Sequence, residues 1–198
     1  MKATDALMND HRVIELVLSC LEVIAFQAGQ TGELDAEPAV QALDFFRCFA
    51  DRYHHAKEEI HLFPLLESRG MIRDSGPTGV MLHEHELGRS LLAEMVAALD
   101  PPSAADFLPP AQLYVRLMRE HIWKEDQRLF RMADHLLSGE DHSQLLRSFE
   151  RLEHVDGEEV PPENYLRLAD RLAEQFGVKR TSTPAHGGCS RQHPQADP

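Results

Sequence analysis

The sequence predicts an all-α protein: an up-down-up-down four-helix bundle with two additional C-terminal helices and a disordered tail. Two observations carry this prediction. Apolar residues recur at alternating spacings of four and three over four long stretches, which is typical of helices that pack in a bundle. Short connections rich in Gly and Pro separate these stretches, and no segment alternates between apolar and polar residues as a half-buried strand does.

The apolar spacing sets the limits of the four long helices, which are predicted over residues 5–29, 37–68, 77–99 and 110–137. Thr4 or Asp5 is expected to cap the first helix. Pro64 lies inside the second pattern and is expected to kink its last turns rather than abolish them. These four helices form one predicted domain, residues 1–140.

A helical extension is predicted over residues 141–176. It consists of two amphipathic helices, at 141–155 and 162–176, which are separated by Pro161-Pro162. We expect them on the outside of the bundle, or at a contact with a second copy or another protein. Residues 177–198 are polar and rich in Pro and Gly, which predicts a disordered tail.

Composition narrows the function classes. The chain has 198 residues and a formal net charge of -13, which argues against binding nucleic acid or an anionic membrane through a general electrostatic field. No stretch reaches eighteen apolar residues and the N-terminus lacks the features of a signal peptide, so a cytoplasmic location is expected. Three scattered cysteines do not make a disulfide framework. Cys20 and Cys48 are expected to be buried thiols; a metal-binding role for Cys189 with His186 and His193 stays open.

Two His-x-x-x-Glu pairs stand out. His54 and Glu58 lie on the second predicted helix, and His121 and Glu125 lie on the fourth. Residues four apart project from one face of a helix, and both pairs fall on the apolar seam. His11 and His85 occupy seam positions on the other two long helices; Gly88, close after His85, would let a neighbouring helix or a ligand approach closely.

In an antiparallel bundle these six side chains can meet in one layer, off-centre toward one end. Burying unpaired imidazoles and carboxylates costs several kcal/mol each, so a cation is expected among them. Imidazole and carboxylate ligands suit iron, manganese or zinc. Iron is preferred, because mixed nitrogen and oxygen ligation with an open position would admit dioxygen, peroxide or nitric oxide. The two carboxylates predict two iron ions.

The joint pattern resembles the hemerythrin/HHE cation-binding family. The matching segments are DHRVIELVL, HHAKEEIHLFP, HEHELGRSLL and EHIWKEDQRLF, which together cover about residues 8–135. The resemblance implies a non-haem di-iron centre with oxo or hydroxo and carboxylate bridges. It also implies the role of each residue: terminal ligands His11, His54, His85 and His121, and bridging ligands Glu58 and Glu125. The family includes oxygen carriers and sensors, iron sensors, iron-sulfur cluster repair proteins and proteins that remove peroxide or nitric oxide.

The sequence departs from the oxygen-carrying members at one position. Those proteins use a fifth histidine, four residues from another histidine on the third helix, where this chain has Met81. His83 would point about 200° away from His85 on a regular helix. Water or His55 is the preferred replacement, followed by a tyrosine, for which the candidates are Tyr53 and Tyr114.

The residues that flank the six are expected to face solvent. Lys57 and Lys124 precede the two glutamates and are placed at the rim. The flanking carboxylates are interpreted as surface charges, one of which could orient a ligand histidine; they are Glu59, Glu84, Glu86, Glu120 and Asp126.

The favoured hypothesis is a di-iron protein that binds or senses dioxygen or a related small oxidant. The first alternative is a di-iron enzyme acting on peroxide or nitric oxide, which an incomplete histidine set would favour. A further alternative is an iron store or sensor, or an iron-sulfur cluster repair protein.

Overall fold

The protein is all-helical. A computed structural model describes residues 1–152 and 162–180, and within them it contains no β-strand, only an isolated bridge between Leu99 and Pro102. These described residues form six helices: α1 (Ala3–Thr31), α2 (residues 36–68), α3 (Pro77–Ala97), α4 (residues 104–136), α5 (Gly139–Phe149) and α6 (Pro162–Phe176). The predicted fold class is confirmed at this level. The predicted residues Cys189, His186 and His193 lie outside the described residues, as do 153–155 of the fifth predicted helix.

Two of the long helices contain π-helical segments. In α2, Ala36–Phe45 is α-helical, Phe46–His55 and Lys57–Leu62 are π-helical, and Phe63–Ser68 returns to the α form. In α4, the segment Glu125–Leu129 is π-helical. A π-helix closes i→i+5 hydrogen bonds, so it holds more residues in each turn and changes the direction of the side chains.

Among the helix starts that differ from the prediction, those of α1 and α4 have a clear physical cause. Lys2 rather than Thr4 or Asp5 is the N-cap of α1; its backbone N–H donates to the Asp5 side chain at 2.7 Å. Helix α4 begins at Ala104, six residues earlier than predicted, because the Ser103 hydroxyl accepts a hydrogen bond from the backbone N–H of Asp106. Burial of Phe107 further stabilises this start, although two prolines follow within the helix.

The four long helices contact one another in a cycle: α1 packs against α2 and α4, and α3 packs against the same two helices. Their apolar side chains form two clusters. One contains Phe46, Tyr114 and Leu21, and the other contains Leu7, Leu62 and Phe130. Along every long helix, the predicted His and Glu residues lie between a member of one cluster and a member of the other. A polar layer is therefore enclosed between two apolar ones.

The C-terminal helices cover the outside of α1 and α2. Helix α5 contacts α1 and the second π segment of α2, and α6 contacts α1 and the first half of α2. After α6, the backbone N–H of Val178 donates to the carbonyl of Ala173 at 2.9 Å, and Arg180 pairs with Asp170. The first residues of the predicted tail thus pack on α6; the remainder, 181–198, lies outside the described residues.

Helix α1 has the composition of a core helix. It is the one helix among residues 1–152 and 162–180 that is long and apolar enough to cross a membrane. Of its most apolar window, 56% is buried inside the protein, and core helices of soluble proteins meet the same criteria.

Candidate metal centre

Seven side chains from the four long helices converge in the polar layer. They form two groups that could each hold a metal ion: His55, Glu58, His85 and His121 in one, and His11, His54, Glu58 and Glu125 in the other. Within each group the candidate ligand atoms all lie within 4.8 Å of one another. All seven side chains are buried, with relative exposures of 5% or less. The structure brings together the six predicted residues and His55, which the sequence offered as one candidate for the missing fifth histidine.

The inward-facing atoms are arranged as ligands of a common cation would be. Glu125 Oε2 lies 3.1 Å from His11 Nε2 and 3.2 Å from His121 Nε2, so one carboxylate oxygen faces a histidine of each group. Glu58 instead directs one oxygen to each group: Oε1 is 3.7 Å from His54 Nε2, and Oε2 is 3.6 Å from His85 Nε2. Both carboxylates therefore stand between the groups.

These atoms fit a metal better than they fit one another. Both carboxylate oxygens of Glu58 and of Glu125, and Nε2 of His11 and His54, are buried without a hydrogen-bond partner. The 3.1 Å approach of His11 to Glu125 thus lacks the direction of a hydrogen bond. Two ligands bound at about 2.1 Å to one ion lie about 3.0–3.4 Å apart, which matches the Glu125 distances. The donor set suits a borderline cation such as iron, manganese or zinc.

The outer nitrogen of every one of the five histidines faces a carboxylate. The Nδ1–carboxylate distances are 2.6 Å for His11 and Asp126, 3.4 Å for His54 and Asp10, 3.3 Å for His55 and Asp51, 2.7 Å for His85 and Glu59, and 3.0 Å for His121 and Glu84. An ionised carboxylate can only accept, so each neutral ring carries its proton on Nδ1 and keeps the Nε2 lone pair facing inward.

Each of these carboxylates is in turn held by a cation. Arg12 pairs with Asp126, Lys57 with Asp10 at 2.7 Å, and Lys124 with Glu84. Arg89 pairs with both Asp51 and Glu59. The expectation that Lys57 faces solvent was wrong: it is 3% exposed, because its ammonium group turns inward to Asp10 and lies 3.5 Å from the centroid of the Tyr53 ring.

Of the flanking acids predicted to be surface charges, three orient histidines: Glu59, Glu84 and Asp126. The other two carboxylates, Asp10 and Asp51, were missed. A sequence signal existed for Asp51, because it precedes His55 by four residues and so shares its face of the helix. Asp10 has only its position next to His11 as a signal.

The buried charges shift the pKa values of the site in opposite directions. Burial and the neighbouring Glu125 charge raise the pKa of Glu58 well above its usual value. Burial would also raise the pKa of Glu125, but His121 and His11 lower it well below its usual value. For His11, burial is outweighed by the Asp126 and Glu125 carboxylates, which raise its pKa to about 9. Burial lowers the pKa of His54 to about 3. Burial therefore favours the protonated form of Glu58, whereas a bound cation would favour its ionised form.

His55 turns inward at the end of a π-helical segment of α2. On an α-helix its side chain would point about 100° away from that of His54. The π segment Phe46–His55 ends at His55, and both imidazoles are buried, with ring centroids 5.6 Å apart. His83, in contrast, is exposed, as its position on the helix predicted.

The two tyrosine candidates lie on the side of the larger apolar cluster. Tyr114 is a member of that cluster, and burial raises the pKa of its phenol far above the usual value. Its ring packs on Phe46 with centroids 5.0 Å apart. The close approach predicted at Gly88 is present: a Cβ there would lie 3.3 Å from Met118 Cε and 3.7 Å from the Tyr114 ring. Tyr53 packs at the edge of the same cluster.

Comparison with known proteins identifies the class. The model of the hemerythrin HHE cation-binding domain matches residues 2–133, which include all seven side chains of the polar layer. The chain therefore belongs to the hemerythrin HHE cation-binding family, as its sequence pattern predicted. A metal-binding role follows from this membership together with the two His/Glu groups.

Among curated proteins, the chain is similar to one from Mycobacterium bovis and to one from each of two Mycobacterium tuberculosis strains. Each is 26% identical over 163 residues, covering 77% of this chain and 61% of the relative, and each is named only as an uncharacterised protein. The chain thus spans about three-fifths of the length of these relatives. The search of solved structures returned no significant match.

Proposed function

We propose that this protein is a four-helix bundle that holds a non-haem di-iron centre and binds or senses dioxygen or a related small oxidant. The cyclic contacts of α1 to α4 support the bundle. The observation that carries the metal proposal is the inward set of ligand atoms. Two buried carboxylates have no hydrogen-bond partner, and five histidines each direct Nδ1 to an outer carboxylate.

In this proposal the ligands divide between two iron positions. His55, His85 and His121 would hold one ion, His11 and His54 would hold the other, and Glu58 and Glu125 would be shared between them. Bound iron would supply reversible one-electron chemistry and an open position for a small ligand. The chain's own part is to keep five lone pairs and two carboxylates directed at one place, and to hold the five histidine protons at Nδ1, away from the iron.

The deep burial of the site favours a small molecule as its ligand. The side chains of Glu58, His85, Glu125 and His11 are completely buried, and an apolar cluster closes the layer on each side. Dioxygen, peroxide and nitric oxide are of a size to reach such a site through small fluctuations of the packing, whereas a larger substrate would have to displace core side chains.

His55 favours binding or sensing over the enzyme alternative. The enzyme hypothesis depended on a fifth histidine being absent, which would leave an additional exchangeable position. His55 lies in the three-histidine group, with its ring stacked on that of His85. Five histidines and two carboxylates are then available, which is the number that oxygen-carrying relatives use, although the fifth comes from the second helix.

The test is iron content together with an absorption spectrum. We expect two iron ions per chain after anaerobic loading, and bands that appear and disappear as dioxygen is admitted and removed. The matched control is the double variant Glu58→Ala/Glu125→Ala, which should bind neither ion. One zinc ion or no metal in the loaded wild-type protein would overturn the di-iron proposal; rapid oxygen evolution from peroxide would favour the enzyme instead.

A further inference from the structure

Arg89 is one of the cations that pair with the carboxylates around the ligand histidines. It lies on α3, four residues after His85, and its side chain is 32% exposed. Its Nε donates to Asp51 Oδ1 at 2.8 Å, and one terminal nitrogen donates to Glu59 Oε1 at 2.6 Å. The other terminal nitrogen donates to Glu86 at 2.7 Å. A single guanidinium thus joins α3 to two carboxylates of α2.

The two α2 carboxylates hold two histidines of one metal group. Asp51 Oδ1 faces His55 Nδ1 at 3.3 Å, and Glu59 Oε1 faces His85 Nδ1 at 2.7 Å. The same carboxylate oxygens accept from Arg89 and from the imidazoles. The His55 and His85 rings are stacked with centroids 3.8 Å apart, so neither ring can rotate without disturbing the other.

We propose that Arg89 is a positioning residue that sets the affinity and occupancy of the three-histidine metal position. It does so by locking His55 and His85 through Asp51 and Glu59. The proposal rests on the proposed di-metal function. It goes further in assigning control of one of the two positions to a residue whose hydrogen bonds go to outer carboxylates and not to the metal ligands.

The chemistry of the side chain explains why one arginine can do this. A guanidinium is planar, stays charged and presents several donors in a fixed fork, so it can bind two carboxylates at a set separation. Without it, Asp51 and Glu59 would be like charges directed at the same space, and their repulsion would move both away from their histidines. An ammonium group is a point charge and cannot reproduce the fork.

Arg89 differs from the other cations around the site in the number of histidines that depend on it. Arg12, Lys57 and Lys124 each pair with one of the carboxylates that face the histidines, and so each supports a single histidine, namely His11, His54 and His121. Within the described part of the chain, Arg89 is the cation whose carboxylates serve two of the five histidines. Its loss should therefore weaken one metal position selectively, and more than loss of a single outer carboxylate does.

The experiment compares Arg89→Gln and Arg89→Lys with the wild-type protein in anaerobic titrations with iron(II), reading iron per chain and the absorption spectrum. Loss of one outer-shell partner typically weakens metal binding about 10- to 100-fold. For Arg89→Gln we expect the second iron ion to bind at least about 10-fold more weakly, with one ion retained and altered bands. Arg89→Lys should be intermediate. The matched control is Arg119→Gln, which removes an exposed arginine that pairs with Glu22 on the surface.

Two further variants test the same metal position without changing Arg89. Asp51→Asn and Glu59→Gln leave Arg89 in place and should each weaken the same position by less than Arg89→Gln does. If Arg89→Gln binds two iron ions with wild-type affinity and spectrum, the proposal is wrong while the di-iron function stands. If the wild-type protein itself fails to bind two ions, the proposed function is what fails.

Discussion

The imidazole rings of His55 and His85 are stacked, with centroids 3.8 Å apart and planes inclined by 12°. His55 belongs to α2 and His85 to α3, so the contact joins two helices inside the polar layer. Burial lowers the pKa of both imidazoles, and the nearby His55 lowers that of His85 further. Both rings are therefore neutral near pH 7, with Nδ1–H held by a carboxylate, and Nε2 of His85 lies 3.2 Å from Nε2 of His121.

The first prediction concerns His55. We expect His55→Ala to lower the metal content from two ions per chain toward one, because it removes a nitrogen ligand from the three-histidine group. Loss of a residue that only orients a ligand typically weakens metal binding about 10- to 100-fold. Loss of the ligand His55 itself should weaken it by at least as much. Metal analysis after equilibrium dialysis measures it. His83→Ala, which removes an exposed histidine on α3, is the control; equal metal content in both variants would remove His55 from the ligand set.

The second prediction is that Glu58→Gln changes stability in opposite directions with and without metal. The Glu58 carboxylate is buried beside Glu125 and has no hydrogen-bond partner. A neutral amide of the same shape could donate to Glu125, so the free energy of unfolding of the metal-free protein should rise by about 1–3 kcal/mol. The metal-loaded variant should be less stable than the wild-type protein, because a bridging ligand is lost.

Urea unfolding of both forms at pH 7 measures the two changes. Glu120→Gln, which changes an exposed carboxylate on α4, is the comparison that retains both buried carboxylates. If the metal-free Glu58→Gln protein is less stable than the wild-type protein, Glu58 is not a buried carboxylate that needs a cation.

The third prediction is that metal binding near neutral pH releases protons. The pKa of His11 is raised to about 9, so its imidazole is protonated in the metal-free protein at pH 7, and burial beside Glu125 raises the pKa of Glu58 well above its usual value. A metal ion requires them deprotonated, hence metal affinity should increase as the pH rises toward 9 and decrease as it falls. The stability of the metal-free fold has the opposite pH dependence. Protonated His11 stabilises this fold fully below the unfolded-state pKa of histidine, about 6.5, and the stabilisation is lost as the pH rises through about 9.

Calorimetric titration in two buffers of different ionisation enthalpy counts the protons. His11→Gln should release fewer protons per bound ion than the wild-type protein does. A binding enthalpy that is the same in both buffers would show that no protons are released.

The fourth prediction is that removal of metal destabilises the fold. An ion that binds only the native state adds about 2.7 kcal/mol at a free concentration one hundred times its Kd. For a chain of this size that corresponds to roughly 5–11 °C in Tm. Thermal unfolding with and without a chelator measures the difference, and restoring the ion should restore Tm. The double variant Glu58→Ala/Glu125→Ala should show no response to either treatment.

The helices and six of the site residues were predictable because helical periodicity is a local property. Residues four apart share a face, so His54 with Glu58, and His121 with Glu125, could be placed inside before any contact was known. Helix limits were less predictable. The start of α4 depends on the cap supplied by Ser103 and on burial of Phe107, and the second of these is decided by neighbouring helices.

The outer shell was predictable only in part. Lys57 was expected in solvent since it is charged and adjacent to a ligand, yet it is buried against Asp10 of α1. The partner is 47 residues away in the chain, and nothing local indicates it. The same holds for Arg89, whose importance arises from two carboxylates on another helix.

By itself, the sequence determined the helical class, the family and the residue types that converge on one layer, because these depend on spacing along single helices. The tertiary structure decided the rest. It decided that His55 turns inward, since its ring is buried against that of His85 on the neighbouring helix. It also decided which carboxylate holds which histidine, because charges separated along the chain meet only after the helices have packed.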